Sequence, residues 1–386
     1  LRAIAIGVGT LTVIVVGLLV LVFVHHLISD RRRAKNRRRF QEAADFLAPY
    51  LVVSHSQIDK IVDDARSRFG DRAVSLVLRR ARFDLKGNGA QNISRLLEEM
   101  GSVKKLIKQA RHRKEWKRVN GVRGLGECGG PMARQVMIEA ASDTSPAVRR
   151  AARDGLLNDG HQESIRAAVS SFLADLPRRA GWRHAFYARL ASVAPPALLE
   201  LIRSDRLKTE EKKLALEALA DAGSEDVLPI SISLLDSEEQ ELRATAVRAI
   251  GKLGGHGEIS LALERLEDDE WFVRAAAARA LETILTTHAS EITVNEANKI
   301  AEALGDKIVD RSWWVRANAA RALARTGQVG ANVLLSTAEG DDTYARDAAL
   351  AALAMADLTE SARAKVDAII QRLLSKQKME VEGSPA

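Results

Sequence analysis

The sequence predicts an all-α fold: a single N-terminal transmembrane helix followed by an α-solenoid of about eight helical hairpins. Three observations carry this. Residues 3–24 form an uncharged run of 22 residues. An arginine-centred pattern then recurs at intervals near 30 residues over most of the remaining chain. The 386 residues are 46% apolar but only 4% aromatic, with eight prolines. That composition suits Ala/Leu-rich helices better than sandwiches or barrels.

The apolar run AIAIGVGTLTVIVVGLLVLVFV would rise roughly 33 Å as a helix, enough for a hydrocarbon core of about 30 Å. A cleaved signal peptide would carry its positive charges before the run and a small-residue cleavage site after it. Here only Arg2 precedes the run, and the cations follow it. Residues 1–29 are therefore expected to be an anchor. Residues 30–40 form a basic juxtamembrane segment with Arg31, Arg32, Arg33, Lys35, Arg37, Arg38 and Arg39. Lys/Arg asymmetry keeps the basic side in the cytoplasm. The expected location is a single-pass inner (cytoplasmic) membrane protein, with the N-terminus outside and the array in the cytoplasm. The same cations suit anionic lipid head groups.

The recurring pattern is an apolar or aromatic residue, then Arg, small residues three and six later, and Leu or Ile seven later. It is clearest in WFVRAAAARAL (271–281) and WWVRANAARAL (313–323). The basic anchors are Arg118, Arg149, Arg183, Lys212, Arg243, Arg274, Arg316 and Arg346, spaced by 31, 34, 29, 31, 31, 42 and 30 residues. Such periodicity is the signature of a solenoid. Each copy reads as the second helix of a hairpin, with alanines admitting a neighbour and Leu filling the seam. Asp143, Asp268 and Asp310 stand six residues before their arginines, a place suited to turns and helix starts. Pro146 suits a first helical turn, and Gly160, Gly254 and Gly327 suit helix ends. First helices are expected at 133–142, 227–235, 259–266 and 300–308. The stretch 286–298 is an insertion at one edge of the stack.

These repeated elements resemble the HEAT-repeat family, particularly the short bacterial type seen in phycobilin-lyase-like repeats. The resemblance covers roughly 111–370 and implies a binding architecture rather than a chemistry. The stretch EWKRVNGVRGLGECGGPMARQV (115–136), with its upstream helices and anchor, looks like a bacterial subgroup of membrane-anchored HEAT proteins. That likeness implies an association with membrane glycosyltransferases of surface-polysaccharide synthesis.

Residues 41–110 read as amphipathic helices outside the repeat pattern, a cap for the inner end of a solenoid at 111–374. Residues 375–386 read as a flexible tail. The net charge of +7 is misleading, because the seven cations of 31–39 account for all of it. The remainder is polarised: 18 basic against 10 acidic residues over 40–123, and 32 against 40 over 124–386. The array would repel phosphate overall, which argues against nucleic acid as a partner.

Few residues suggest chemistry, and no catalytic, cofactor or metal site is expected. GLGECG (124–129) matches a dinucleotide fingerprint literally, but follows a helical segment and reads as an inter-repeat turn. His25 and His26 are neighbours that point apart on a helix, a poor chelate. The lone cysteine, Cys128, excludes an internal disulfide, and as a nucleophile it would need an exposed electropositive setting.

The basic anchors are expected to be structural, pairing with turn aspartates or helix-terminal carbonyls of adjacent repeats. The tryptophans suggest binding. Trp116, Trp182, Trp271, Trp313 and Trp314 all fall within three residues before an anchor. They can fill gaps between repeats or form a docking ridge, and Trp is enriched at interface hot spots. The expected function is a non-enzymatic scaffold or adaptor for an integral membrane protein or membrane-associated enzyme complex. The alternatives are a HEAT-like lyase-type enzyme and a lipid-sensing regulator.

Overall fold

The computed structural model describes residues 34–51, 58–85, 87–204, 206–356 and 359–382. It is all-α, and it divides into two compact units between Leu176 and Pro177. The fold class needs one correction. Among the described residues no helix is long and apolar enough to cross a membrane. A span needs about 20 consecutive apolar residues. The longest described helix, Glu360–Glu382, is interrupted by charge throughout, as at Arg363, Lys365, Asp367 and Arg372. The 3–24 run, His25, His26, Arg31, Arg32 and Arg33 lie outside the described residues. Among the described residues the fold is thus an all-α solenoid with no helix that could cross a membrane, and the expected single-pass inner-membrane location is not supported.

The first unit contains α1 (34–51), α2 (Ile58–Phe69), α3 (Asp71–Asp84), α4 (Asn88–Glu99), α5 (Ser102–Ala110), α6 (Glu115–Cys128), α7 (Pro131–Ala140), α8 (Pro146–Asp159) and α9 (Gln162–Ala174). Helix α5 packs along α6, and α6 along α8. Residues 102–110, which the sequence groups with the cap, take part in this packing. A buried polar network ties the early helices to the repeats. Arg82 on α3 donates from Nε to Ser94 Oγ at 2.9 Å, and Ser94 Oγ donates to the Cys128 carbonyl at 2.8 Å. Arg82 also lies 3.8 Å from Asp159, which accepts from Arg134 Nε at 2.8 Å and Ser164 Oγ at 2.6 Å. Burial lowers the Arg82 pKa, with Asp159 opposing that effect.

The GLGECG segment is helix rather than a turn: Gly124 and Gly126 lie within α6. Their use is close packing. A Cβ on Gly126 would sit 2.6 Å from the Gly155 Cα on α8. Only glycine lets these two backbones touch.

The second unit contains α10 (Ala180–Val193), α11 (Pro195–Arg203), α12 (Thr209–Asp221), α13 (Leu228–Ser233), α14 (Gln240–Leu253), α15 (Ile259–Glu264), α16 (Trp271–Thr287), α17 (Val294–Lys307), α18 (Trp313–Leu323), α19 (Gln328–Glu339), α20 (Thr343–Met355) and α21 (Glu360–Glu382). The even-numbered helices from α10 to α20 pack in series, each on the next. Their seams hold the small residues and Leu of the repeat pattern. Ala277, Ala280 and Leu281 of α16 are buried, as are Ala319, Ala322 and Leu323 of α18. Each such Leu contributes about 1.5–3 kcal/mol by leaving water.

The insertion after α16 is part helix, part turn. Helix α16 runs 17 residues, a 3-10 turn spans Ala289–Glu291, and α17 starts at Val294. That start precedes the expected Ile300 because Thr293 and Glu296 form a capping box. Gly160 adopts a left-handed φ of 70° at the end of α8, while Gly254 is extended and Gly327 precedes α19. Helix α21 continues to Glu382, into the segment expected as a tail.

Candidate protein-docking edge

Every basic anchor occupies one place. Arg118, Arg149, Arg183, Lys212, Arg243, Arg274, Arg316 and Arg346 are each the fourth residue of an even-numbered helix, from α6 to α20. At that place the guanidinium folds back over the preceding turn. Arg149 Nη1 donates to the carbonyls of Asp143 and Thr144 at 2.8 and 3.0 Å, and Arg274 Nη1 to those of Asp268 and Asp269 at 2.8 and 2.9 Å. The other guanidinium nitrogens reach forward to the next repeat. Arg118 forks onto Asp143 at 2.9 Å in both bonds. Arg243 grips Asp268 at 2.8 and 3.0 Å, and Arg274 grips Asp310 at 2.8 and 3.1 Å. Arg149 reaches Asp175 from Nε at 2.9 Å. Bidentate geometry and part burial make these the strong kind of ion pair.

Four anchors vary the scheme. Arg183 pairs with Glu211, a buried carboxylate that also accepts from Tyr187 Oη at 2.8 Å. Burial raises the Tyr187 pKa, and the bond to Glu211 adds to it. Lys212 has no ion-pair partner among the described residues, and its neighbour Lys213 pairs with Glu241 instead. Among the described residues the last two anchors show no carboxylate partner. Arg316 donates to the Asp310 carbonyl at 2.6 Å and lies 5.2 Å over the Tyr344 ring, and Arg346 donates to Thr343 Oγ1 at 3.1 Å.

Within each unit this ladder sets the N-terminal ends of successive second helices side by side. The aromatic residues stand on those ends. All five tryptophans are 45–59% exposed, so none fills the core. Tyr344, on the second residue of α20, is 69% exposed and belongs with them. Its place two residues before Arg346 matches that of Trp314 before Arg316, a signal present in the sequence but unread there.

The tryptophans differ in their surroundings. Lys117 lies 5.6 Å over Trp116, and Arg179 lies 5.4 Å over Trp182. Among the described residues no cation covers Trp271, Trp313 or Trp314. Trp313 and Trp314 meet edge to face at 4.7 Å, and Trp271 meets Phe272 likewise at 5.7 Å. The ladder consumes the nearby arginines, so the exposed charge on the turns before α14, α16 and α20 is acidic: Glu238, Glu239, Asp269 and Asp341. Arg311, before α18, is the exposed cation there.

Other candidate chemistry is dispersed. Cys128 is fully buried, and burial, the largest influence, pushes its thiol up to about 12. Among the described residues no group of three or more His, Cys, Asp or Glu could hold a metal ion. His256 pairs with Glu296 and His288 with Glu291, both at partly exposed positions in the second unit. Lys35, Arg37, Arg38 and Arg39 are exposed on α1, where Arg38 pairs with Glu42 at 2.8 Å.

Residues 195–282 match the family model described as HEAT repeats. That description names a repeat and no catalytic activity. No curated protein matches. Among solved structures, the chain is similar to Kap121p bound to Ste12p, at 14% identity and a TM-score of 0.45, over 81% of this chain and 41% of that one. It is similar to an engineered protein at 20% identity and a TM-score of 0.36, over 87% and 94%. It is also similar to Kap95p, described with RanGDP, at 13% identity and a TM-score of 0.45, over 79% and 47%. The chain thus spans less than half the length of the two karyopherin chains.

Proposed function

We propose that this protein is a non-enzymatic binding scaffold whose aromatic edge in the second unit docks a partner protein through a cationic segment. One observation carries this reading: Trp271, Trp313 and Trp314 are exposed on two successive second helices, with no cation stacked on their rings among the described residues. Aromatic faces beside uncommitted carboxylates attract Lys and Arg, each such contact contributing about 0.5–2 kcal/mol. Tryptophan is also the residue most enriched where binding energy concentrates. Trp116 and Trp182, already covered by Lys117 and Arg179, play a lesser part.

The narrower likeness of residues 115–136 supplies the first candidate partner, a membrane-associated polysaccharide-synthesising glycosyltransferase. It rests on resemblance alone, since these residues form α6 and the start of α7 and include the buried glycines of the α6–α8 contact. Anionic lipid at Lys35, Arg37, Arg38 and Arg39 is a separate, weaker reading.

The test is co-purification with the intact chain and with a Trp313→Ala/Trp314→Ala variant. Because both side chains are exposed, helicity and melting should hold while partner capture falls. Unchanged capture by a folded variant overturns the docking edge.

A further inference from the structure

A second surface lies in the first unit, and its chemistry is the reverse of the aromatic edge. Helix α3 presents Arg72, Leu76, Arg80 and Phe83 at helical spacing, all exposed. Leu76 is 46% and Phe83 50% exposed, two large apolar side chains two turns apart on one stripe. Helix α6 packs beside α3 and presents Arg123 and Glu127 one turn apart. Between them runs a cleft of about 350 Å³ lined by Leu76, Arg79, Arg80, Phe83, Asp84 and Glu127. Arg79 and Glu127 pair across its floor and cancel. Arg72, Arg80 and Arg123 have no ion-pair partner among the described residues, whereas Asp84 is the one uncommitted carboxylate of the lining.

We propose that this groove docks an acidic amphipathic helix of a partner protein. The occupant is chosen by shape and charge together. A groove between two helices accepts a third whose apolar residues fall at i, i+3, i+4 and i+7. Leu76 and Phe83, roughly 10 Å apart along the helix axis, match that repeat. The surplus arginines select carboxylates flanking the apolar seam. An anionic bilayer shares the charge, but a concave cleft carrying Asp84 and Glu127 is poorly shaped for a flat headgroup layer. The site is independent of the aromatic edge: one surface selects an acidic partner, the other a cationic one. An adaptor that joins two different proteins needs such a pair.

The experiment uses the full chain and a synthetic Leu/Glu amphipathic peptide, with its Leu/Lys counterpart as the charge control. Binding is read by fluorescence anisotropy. Phosphatidylserine vesicles are tested in parallel. Because the cations of 31–39 also attract acidic probes, the informative quantity is the difference between wild type and variants. Arg80→Glu and the charge-neutral Phe83→Ser should each weaken the Leu/Glu peptide by about tenfold. Lys299→Glu, an exposed charge reversal in the other unit, should leave it unchanged. Both cleft positions are exposed, and circular dichroism confirms that the variants fold. Equal peptide binding by wild type and Phe83→Ser overturns the proposal. So does a cleft-dependent loss seen with vesicles but absent with the peptide, which assigns the surface to lipid.

Discussion

Arg274 joins two repeats through Asp310. Its guanidinium forks onto that carboxylate at 2.8 and 3.1 Å, while Nη1 donates to the Asp268 carbonyl 2.8 Å away. Asp310 in turn accepts from the Ser312 backbone N–H at 2.7 Å, and its own carbonyl accepts from Arg316 at 2.6 Å. Each such aspartate shapes its own turn, receives the previous arginine and offers a carbonyl to the next. The ladder therefore fixes both the loop and the stacking of neighbours.

Asp310→Asn should consequently destabilise the second unit by about 1–3 kcal/mol, the range for a part-buried charged hydrogen bond left without its partner charge. Arg274 would keep its carbonyl bonds, so the fold should survive. Urea unfolding followed by circular dichroism measures the loss. A variant as stable as wild type would remove the ladder from the account of stacking.

The same aspartates predict an acid limb. Burial raises the carboxyl pKa of Asp143, Asp268 and Asp310, but the arginine hydrogen bonds and backbone N–H donors outweigh it, so each lies below its ordinary value of 3.8. A depressed folded pKa contributes stability that is present above the unfolded value and lost as pH falls through the folded one. Melting temperature should thus fall steeply below about pH 4. An Asp268→Asn/Asp310→Asn variant should start lower and show a shallower acid decline.

Much of this geometry is legible in the sequence. The anchor period placed Arg118 through Arg346 on one site per repeat, because a solenoid repeats its contacts as it repeats its residues. Which partner each anchor takes was less legible. Lys212 fits the period, yet Lys213 makes the ion pair, since a one-residue difference about 100° around a helix decides which side chain faces the next repeat. GLGECG, following a helical segment, reads as a turn, and its helical role depends on distant residues: Gly124 sits against Leu106, and Gly126 against Gly155, 29 residues beyond it. The exposure of the tryptophans was open in the same way, because a large aromatic near a repeat boundary suits a core or a surface equally.

Gly126→Ala should cost about 1–3 kcal/mol, the usual penalty for overpacking, because the new methyl meets the Gly155 backbone rather than a flexible side chain. Gly305→Ala supplies the contrast. There a Cβ finds Val333 Cγ1 at 3.4 Å, an ordinary contact, and Gly305 lies within α17. That change should be neutral or stabilising by about 0.4–1 kcal/mol through the unfolded state. Thermal melting of both variants tests the packing argument. Equal effects would mean that α6 and α8 can separate without loss.

Cys128 turns the buried network of the first unit into a measurable probe. Its thiol has no exposed surface, and burial holds its pKa up at about 12, with Glu127 adding and Arg79 and Arg82 opposing. The thiolate is the reactive form, so burial keeps the thiol protonated and unreactive at pH 8, and reagent must also reach it. Labelling by a disulfide-exchange reagent should therefore follow opening of α6 from its neighbours rather than the native thiol. The Cys128 carbonyl is held by Ser94, Ser94 by Arg82, and Arg82 faces Asp159, so loosening the far end of that chain should be felt at the near end. Asp159→Asn leaves Arg82 and Arg134 without their shared charge and should raise the labelling rate well beyond that of wild type. Prompt labelling of the native wild-type protein would instead place Cys128 at an accessible surface, and an Asp159→Asn variant labelled no faster would uncouple the network from α6.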